Sequence, residues 1–176
     1  MDVPRVVPDL LPVRAATASD IEQIRALATG NGMFAPDAMS GFDGMLSGYL
    51  DGSLEGHEWV VVESSTGLLV GAAYFAPEPF GDRVWNLYFI AVHPDHHGTG
   101  TGRALLARVE GTLRSRGEGV ARVLIVETSS DAAFAQARSF YVARGFANEA
   151  VIREFYGPGD DKVVFWKSLV DHDTLR

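Results

Sequence analysis

Residues 58–129 constrain the fold most tightly. Three runs rich in β-branched and aromatic residues, EWVVVES (58–64), GLLVGAAYFAP (67–77) and RVWNLYFIAV (83–92), are separated by the turn segments STG and PEPFGD. Connections that short join antiparallel neighbours, because a parallel return needs a crossover of a dozen or more residues. The third run leads instead through HPDHHGTGTG into RALLARVEGTLRSRG (103–117). There Leu105, Leu106, Val109 and Leu113 line one stripe and Gly117 stops the helix. ARVLIVETS (121–129) then reads as a buried strand, which completes a β-helix-β crossover. An antiparallel meander joined to one such crossover specifies an α+β fold with a mixed, mostly antiparallel sheet.

The flanks fill in the rest. LPVRAAT (11–17) reads as a first strand, and Ser19 with Glu22 forms a capping box for a helix that Gly30 ends. Residues 36–53 place Met39, Phe42, Met45, Leu46, Tyr49 and Leu50 at helical spacing, and their glycines predict a loose helix near the surface. A helix over 131–146 and a closing hairpin, EAVIREFYG and KVVFWKSLV around PGDD, follow. The expected organisation is an arm over 1–10, one domain over 11–170 and a tail over 171–176, consistent with a chain of 176 residues.

Composition excludes several classes. At 47% apolar and 22% charged, the chain can bury a core. It has no apolar run of the roughly 20 residues that cross a membrane, and MDVPRVVPDLLPVR lacks the form of a secretion signal. The expectation is a cytoplasmic protein with no membrane partner. With no cysteine it has no disulfide and no thiolate nucleophile. A net charge of −8 disfavours nucleic acid; it either attracts a cationic partner such as an amine or serves solubility.

The glycine stretch then acquires meaning. A helix start offers unpaired amides and the positive end of the helix dipole, and Gly98, Gly100 and Gly102 let a large anion approach the main chain. The run lacks the Lys-Ser/Thr of a P-loop. It also fails G-x-G-x-x-G, since Arg103 or Leu105 stands where the third glycine belongs. A nucleoside triphosphate and a nicotinamide dinucleotide are therefore poor fits. His93, His96 and His97 fall in one loop with no second ligand cluster, so no metal is expected.

At these residues the sequence resembles the GNAT superfamily of acyl-CoA-dependent N-acetyltransferases. Their Arg/Gln-x-x-Gly-x-Gly/Ala motif, after a strand-ending valine and a proline turn, is matched by Val92, Pro94, Gly100 and Gly102, with His97 at the Arg/Gln place. A second signature is matched by Ala137, Phe140-Tyr141 and Gly145-Phe146. The resemblance implies a sheet of about seven strands, flanked by about four helices and splayed between strands four and five, and acetyl-CoA as cosubstrate. The pyrophosphate would take amides of Gly98, Thr99, Gly100, Thr101, Gly102 and Arg103. The pantetheine would pair with Ile90, Ala91 and Val92, between that strand and the next. His97 would point toward phosphate; Arg103 is either a phosphate contact or an exposed helix arginine.

The same resemblance distributes the chemistry. Tyr141 stands at the position of the acid that protonates the leaving thiolate; spacing alone favours a packed aromatic sharing a face with Phe134 and Ala137, and the FYVARGF match turns the reading to the acid. An alkylammonium has a pKa of about 10.4, so its proton must be removed before attack. Many relatives carry a glutamate on the fourth strand where this chain has Asn86, an amide that can hold a water. Glu127, at the end of VLIVET where strand ends of the splayed region face the site, is then the candidate carboxylate and equally a surface strand-end acid, with a water chain as a further route. Phe134 replaces an asparagine that touches pantetheine in many relatives, and Ser129 or Ser130 would supply the donor. Asp43, Asp51, Asp160 and Asp161 either attract a cationic acceptor or are in part solvated turn residues, as PGDD suits a turn in its own right. The implied activity is acetyl transfer to a primary amine of a small molecule or peptide by direct attack, with a homodimer as a common state among similar proteins. The alternative is a non-catalytic acyl-CoA-binding sensor that lost its base.

Overall fold

The computed structural model of the chain describes residues 12–30 and 39–170. The expected arm over 1–10, the start of the 36–53 segment and the tail over 171–176 lie outside them. Seven strands form one sheet in the order β1-β2-β3-β4-β5-β7-β6. The strands are β1 (Val13–Ala15), β2 (Glu58–Glu63), β3 (Leu69–Pro77), β4 (Val84–Val92), β5 (Val123–Ser129), β6 (Ala147–Gly157) and β7 (Asp160–Ser168). The helices are α1 (Ile21–Gly30), α2 (Met39–Leu50), α3 (Thr101–Ser115) and α4 (Ala135–Ala143). Two compact units divide the chain, one ending at Tyr74 and resuming over Phe89–Val109, the other holding Phe75–Tyr88 and the residues from Glu110 on.

In the first unit β1 runs antiparallel to β2, with Arg14 opposite Val61. Its core is aromatic. Trp59 stacks on Tyr74 at 4.7 Å, and Phe42 meets Trp59 and Phe89 edge-on at 5.3 and 5.4 Å. This corrects the loose surface helix expected over 36–53: Phe42 and Leu46 of α2 are each 1% exposed. Burying those side chains outweighs the roughly 1 kcal/mol by which each interior glycine disfavours a helix.

The cap of α1 is also corrected. Thr17, not Ser19, opens the turn, and its N–H and hydroxyl both donate to Asp20 Oδ2, at 2.7 and 3.0 Å. A short 3₁₀ turn, Ala18–Asp20, then leads into the helix. The reason is tertiary: Arg14 of β1 donates to both Asp20 oxygens, at 2.7 and 2.9 Å, and also pairs with Glu63 of β2. Asp20 is drawn to a fixed cation that Glu22 does not reach.

In the second unit β4 and β5 run parallel, joined over Val84–Asn86 and Val123–Ile125. The antiparallel β5–β7 ladder is longer, from Val123 opposite Ser168 to Ser129 opposite Lys162. β5 beyond Ile125 thus has its ladder with β7. The hairpin puts β7 inside and β6 at the edge, and ten of the eleven β6 residues are exposed. Lys167 joins Glu110 at 2.7 Å and the Arg144 carbonyl at 2.8 Å, which ties the end of α4 to β7. No helix among the described residues is long and apolar enough to cross a membrane.

Candidate active site

The first unit carries an anion cradle. His93 N–H donates to the Val70 carbonyl at 2.8 Å, which fixes the end of β4 against β3. A 3₁₀ turn, Pro94–His96, follows, and the chain then bends through Gly98 and Gly100 at φ of 74° and 96°. Those angles lie in the left-handed region that side chains disfavour, so the turn requires glycine. α3 begins at Thr101, two residues before the predicted start at 103. Its ladder opens with Ala104 N–H donating to Gly100 O at 2.9 Å. The amides of Gly98, Gly100, Thr101, Gly102 and Arg103 have no acceptor among the described residues. Thr99 N–H has a long bond to His96 O, 3.4 Å. Such a set of free donors at the positive end of a 15-residue helix suits a phosphate.

The side chains around the cradle are ordered. Thr99 hydroxyl donates to His96 O at 2.7 Å and lies 3.0 Å from the Thr101 hydroxyl. Arg103 is exposed, and its Nη2 lies 3.8 Å from the place a Cβ on Gly100 would take. His97 Nε2 lies 2.9 Å from Val92 O, so this ring folds back on the strand end instead of reaching past the glycines. Ala91 is buried, with Ile90 and Val92 half-buried beside it. Gly71 of β3 seats the helix: a Cβ there would meet Leu105 Cδ1 and Thr101 Cγ2 at 2.9 Å and Ala91 O at 3.3 Å. Among the described residues no group of three or more histidine, aspartate or glutamate side chains could hold a metal ion.

The second unit carries the titratable groups. Tyr141 on α4 is 4% exposed. Its ring lies against Phe140, Phe146 and Phe165 at 5.5, 5.8 and 5.4 Å. Burial pushes its phenol pKa well up, so it stays protonated at neutral pH and able to donate. Phe134, just before α4, and Ala137 in its first turn are half-buried. Ser129 hydroxyl donates to Asp160. Ser130 Oγ accepts from Asp161 N–H at 2.8 Å, which leaves its own proton to donate.

Glu127 is paired with Lys162 at 3.0 Å, and the Lys162 ammonium also sits 3.5 Å over the Phe155 ring. Asn86 is 1% exposed; its Nδ2 donates to Glu78 Oε1 at 2.8 Å and its Oδ1 is buried without a partner. Tyr88 hydroxyl donates to the same Glu78 oxygen at 2.8 Å. Glu78 is hidden in the sequence because PEPFGD has the composition of a turn. Hairpin register was the available signal: Glu78 N–H donates to Val84 O at 2.8 Å, which sets Glu78 across from the start of β4. The four acids expected to draw a cation are all engaged. Asp43 pairs with Arg25 at 3.0 Å and Asp51 accepts from Ser53 N–H at 2.8 Å. Asp160 holds Ser129, and Asp161 accepts from Glu154 N–H.

Comparison with known proteins shows the family and the fold. The family described as acetyltransferase (GNAT) domain matches residues 55–148. A GNAT-family protein from Desulfovibrio desulfuricans is 30% identical, with a TM-score of 0.82 over 91% of this chain and 99% of that one. YncA from Salmonella typhimurium, solved with its cofactor acetyl-CoA, is 23% identical, with a TM-score of 0.74 over 92% and 95% of the two chains. An aminoglycoside 6'-N-acetyltransferase complexed with coenzyme A shares the fold at 14% identity, with a TM-score of 0.72 over 92% and 99%. No curated protein matches the chain.

Proposed function

The chain belongs to the GNAT family of acetyltransferases, and we propose that it moves an acetyl group from acetyl-CoA to a primary amine of a small molecule or peptide. The observation that carries the cosubstrate is the glycine turn, where five amides lack acceptors and no side chain fills the approach. A pyrophosphate supplies the oxygens those amides need, and Arg103 adds a charge beside Gly100. The main chain of Ile90 and Ala91 offers strand-like bonds to the pantetheine amides. The Val92 carbonyl is already used by His97. Ser130 keeps a hydroxyl proton to donate to that arm, with Phe134 and Ala137 as its apolar contacts in this reading.

Attack is direct, since the chain has no cysteine to carry an acyl group. Tyr141 gives its proton to the sulfur as the carbon–sulfur bond breaks; a phenol held protonated by burial suits that task.

The test is release of free thiol from acetyl-CoA across a panel of small amines, polyamines, amino acids and peptides with free N-termini. At least one amine is expected to give acetylated product in step with thiol. Tight acetyl-CoA binding without thiol release on any of them would assign the chain as a sensor and overturn the reading.

A further inference from the structure

We propose that Glu78 is the proton acceptor for the incoming amine, held in place by Asn86 and Tyr88; this rests on the acetyl-transfer reading above. Both neighbours donate to Glu78 Oε1, each at 2.8 Å, and neither is a cation. The carboxylate is thereby fixed through one oxygen. Its Oε2 has no partner among the described residues and is the atom open to a proton. Tyr88 is the titratable side chain in hydrogen-bond contact with it.

The amide orientation of Asn86 follows from the same contact. An ionised carboxylate only accepts, so Asn86 turns its NH2 toward Glu78. Its carbonyl oxygen is left buried and unpaired. A buried polar atom in that state is unfavourable. A donor arriving beside Glu78, an ammonium or a water passing its proton, would satisfy it. Asn86 therefore acts as a positioning residue that also offers the approaching N–H a second acceptor. The acids of this unit that the sequence singles out have prior commitments: Glu127 would have to give up Lys162, and Asp160 and Asp161 hold Ser129 and the β6–β7 hairpin.

The step balances. Glu78 Oε2 takes one proton from R–NH3+, and the lone pair of R–NH2 attacks the thioester carbonyl carbon. Collapse breaks the carbon–sulfur bond, and the thiolate takes the Tyr141 proton. The second amine proton restores the phenol through water, and Glu78 releases its proton to solvent, one per amide formed.

The experiment compares wild type with Glu78→Gln and Glu78→Asp from pH 6 to 10 on an amine that the wild type acetylates, with acetyl-CoA affinity measured separately. Glutamine keeps both hydrogen bonds but not the base. It is expected to lower kcat about 100-fold at pH 7 while leaving acetyl-CoA Kd within about twofold, and the deficit should shrink as the pH nears the amine's own pKa of about 10. Aspartate should restore part of the rate at pH 7. A wild-type rate for Glu78→Gln at pH 7, a deficit constant across pH, or an equal loss of acetyl-CoA affinity would overturn the assignment while acetyl transfer itself stands. A wild type that acetylates nothing would overturn the functional reading, and this assignment with it.

Discussion

Tyr141 shows how one residue answers to packing and chemistry together. Three aromatic rings within 6 Å enclose it, while its hydroxyl has no hydrogen-bond partner among the described residues. Tyr141→Phe keeps the ring and removes the proton. We expect kcat to fall about 100-fold with acetyl-CoA Kd unchanged in titration calorimetry. Lost affinity with unchanged kcat would make Tyr141 a packing residue. FYVARGF was enough to single out this residue. The carboxylate beside Asn86 was not visible in the same way, because Glu78 and Asn86 are eight positions apart and meet only when β3 and β4 pair.

At the scale of elements, the cradle depends on how closely α3 sits on β3. Gly71 is the point of contact, with Leu105, Thr101 and Ala91 all inside normal Cβ distances. Gly71→Val would force the first turn of α3 away and shift the free amides with it. Overpacking of this kind costs about 1–3 kcal/mol. We expect a lower melting temperature and acetyl-CoA affinity weakened about tenfold, equivalent to about 1.4 kcal/mol. Unchanged affinity in a destabilised variant would separate the cradle from the β3 contact. Strand types and the turns between them were legible because β-branched runs and turn residues are local signals. The start of α3, the cap of α1 and the burial of α2 were not, since Thr101 is helical next to two glycines and Asp20 is chosen by an arginine on β1.

For the molecule as a whole, that arginine has a measurable consequence. Hydrogen bonds from Arg14, and then from Thr17, hold the Asp20 pKa down at about 2, against an opposing effect of burial. A carboxylate with a folded pKa below its unfolded value of 3.8 stabilises the fold above about pH 4, and the effect is lost as pH falls toward 2. The shift corresponds to about 2 kcal/mol. Urea unfolding at pH 6 and at pH 2.5 should therefore show wild type losing about 2 kcal/mol more than Asp20→Asn. Equal losses would place the acid sensitivity elsewhere.

The sequence by itself determined the element order, the glycine turn and the tyrosine helix, because each is written in a few consecutive residues whose backbone preferences and periodicity act locally. The tertiary structure decided which acids remain free. Asp43, Asp160, Asp161 and Glu127 read alike along the chain, yet each is held by a partner that strand pairing or helix packing brings to it. Glu78 keeps one oxygen open because its two neighbours donate to the other. Whether a carboxylate is engaged or available depends on what lies within about 3 Å of it, and that is set by contacts between residues far apart in the chain.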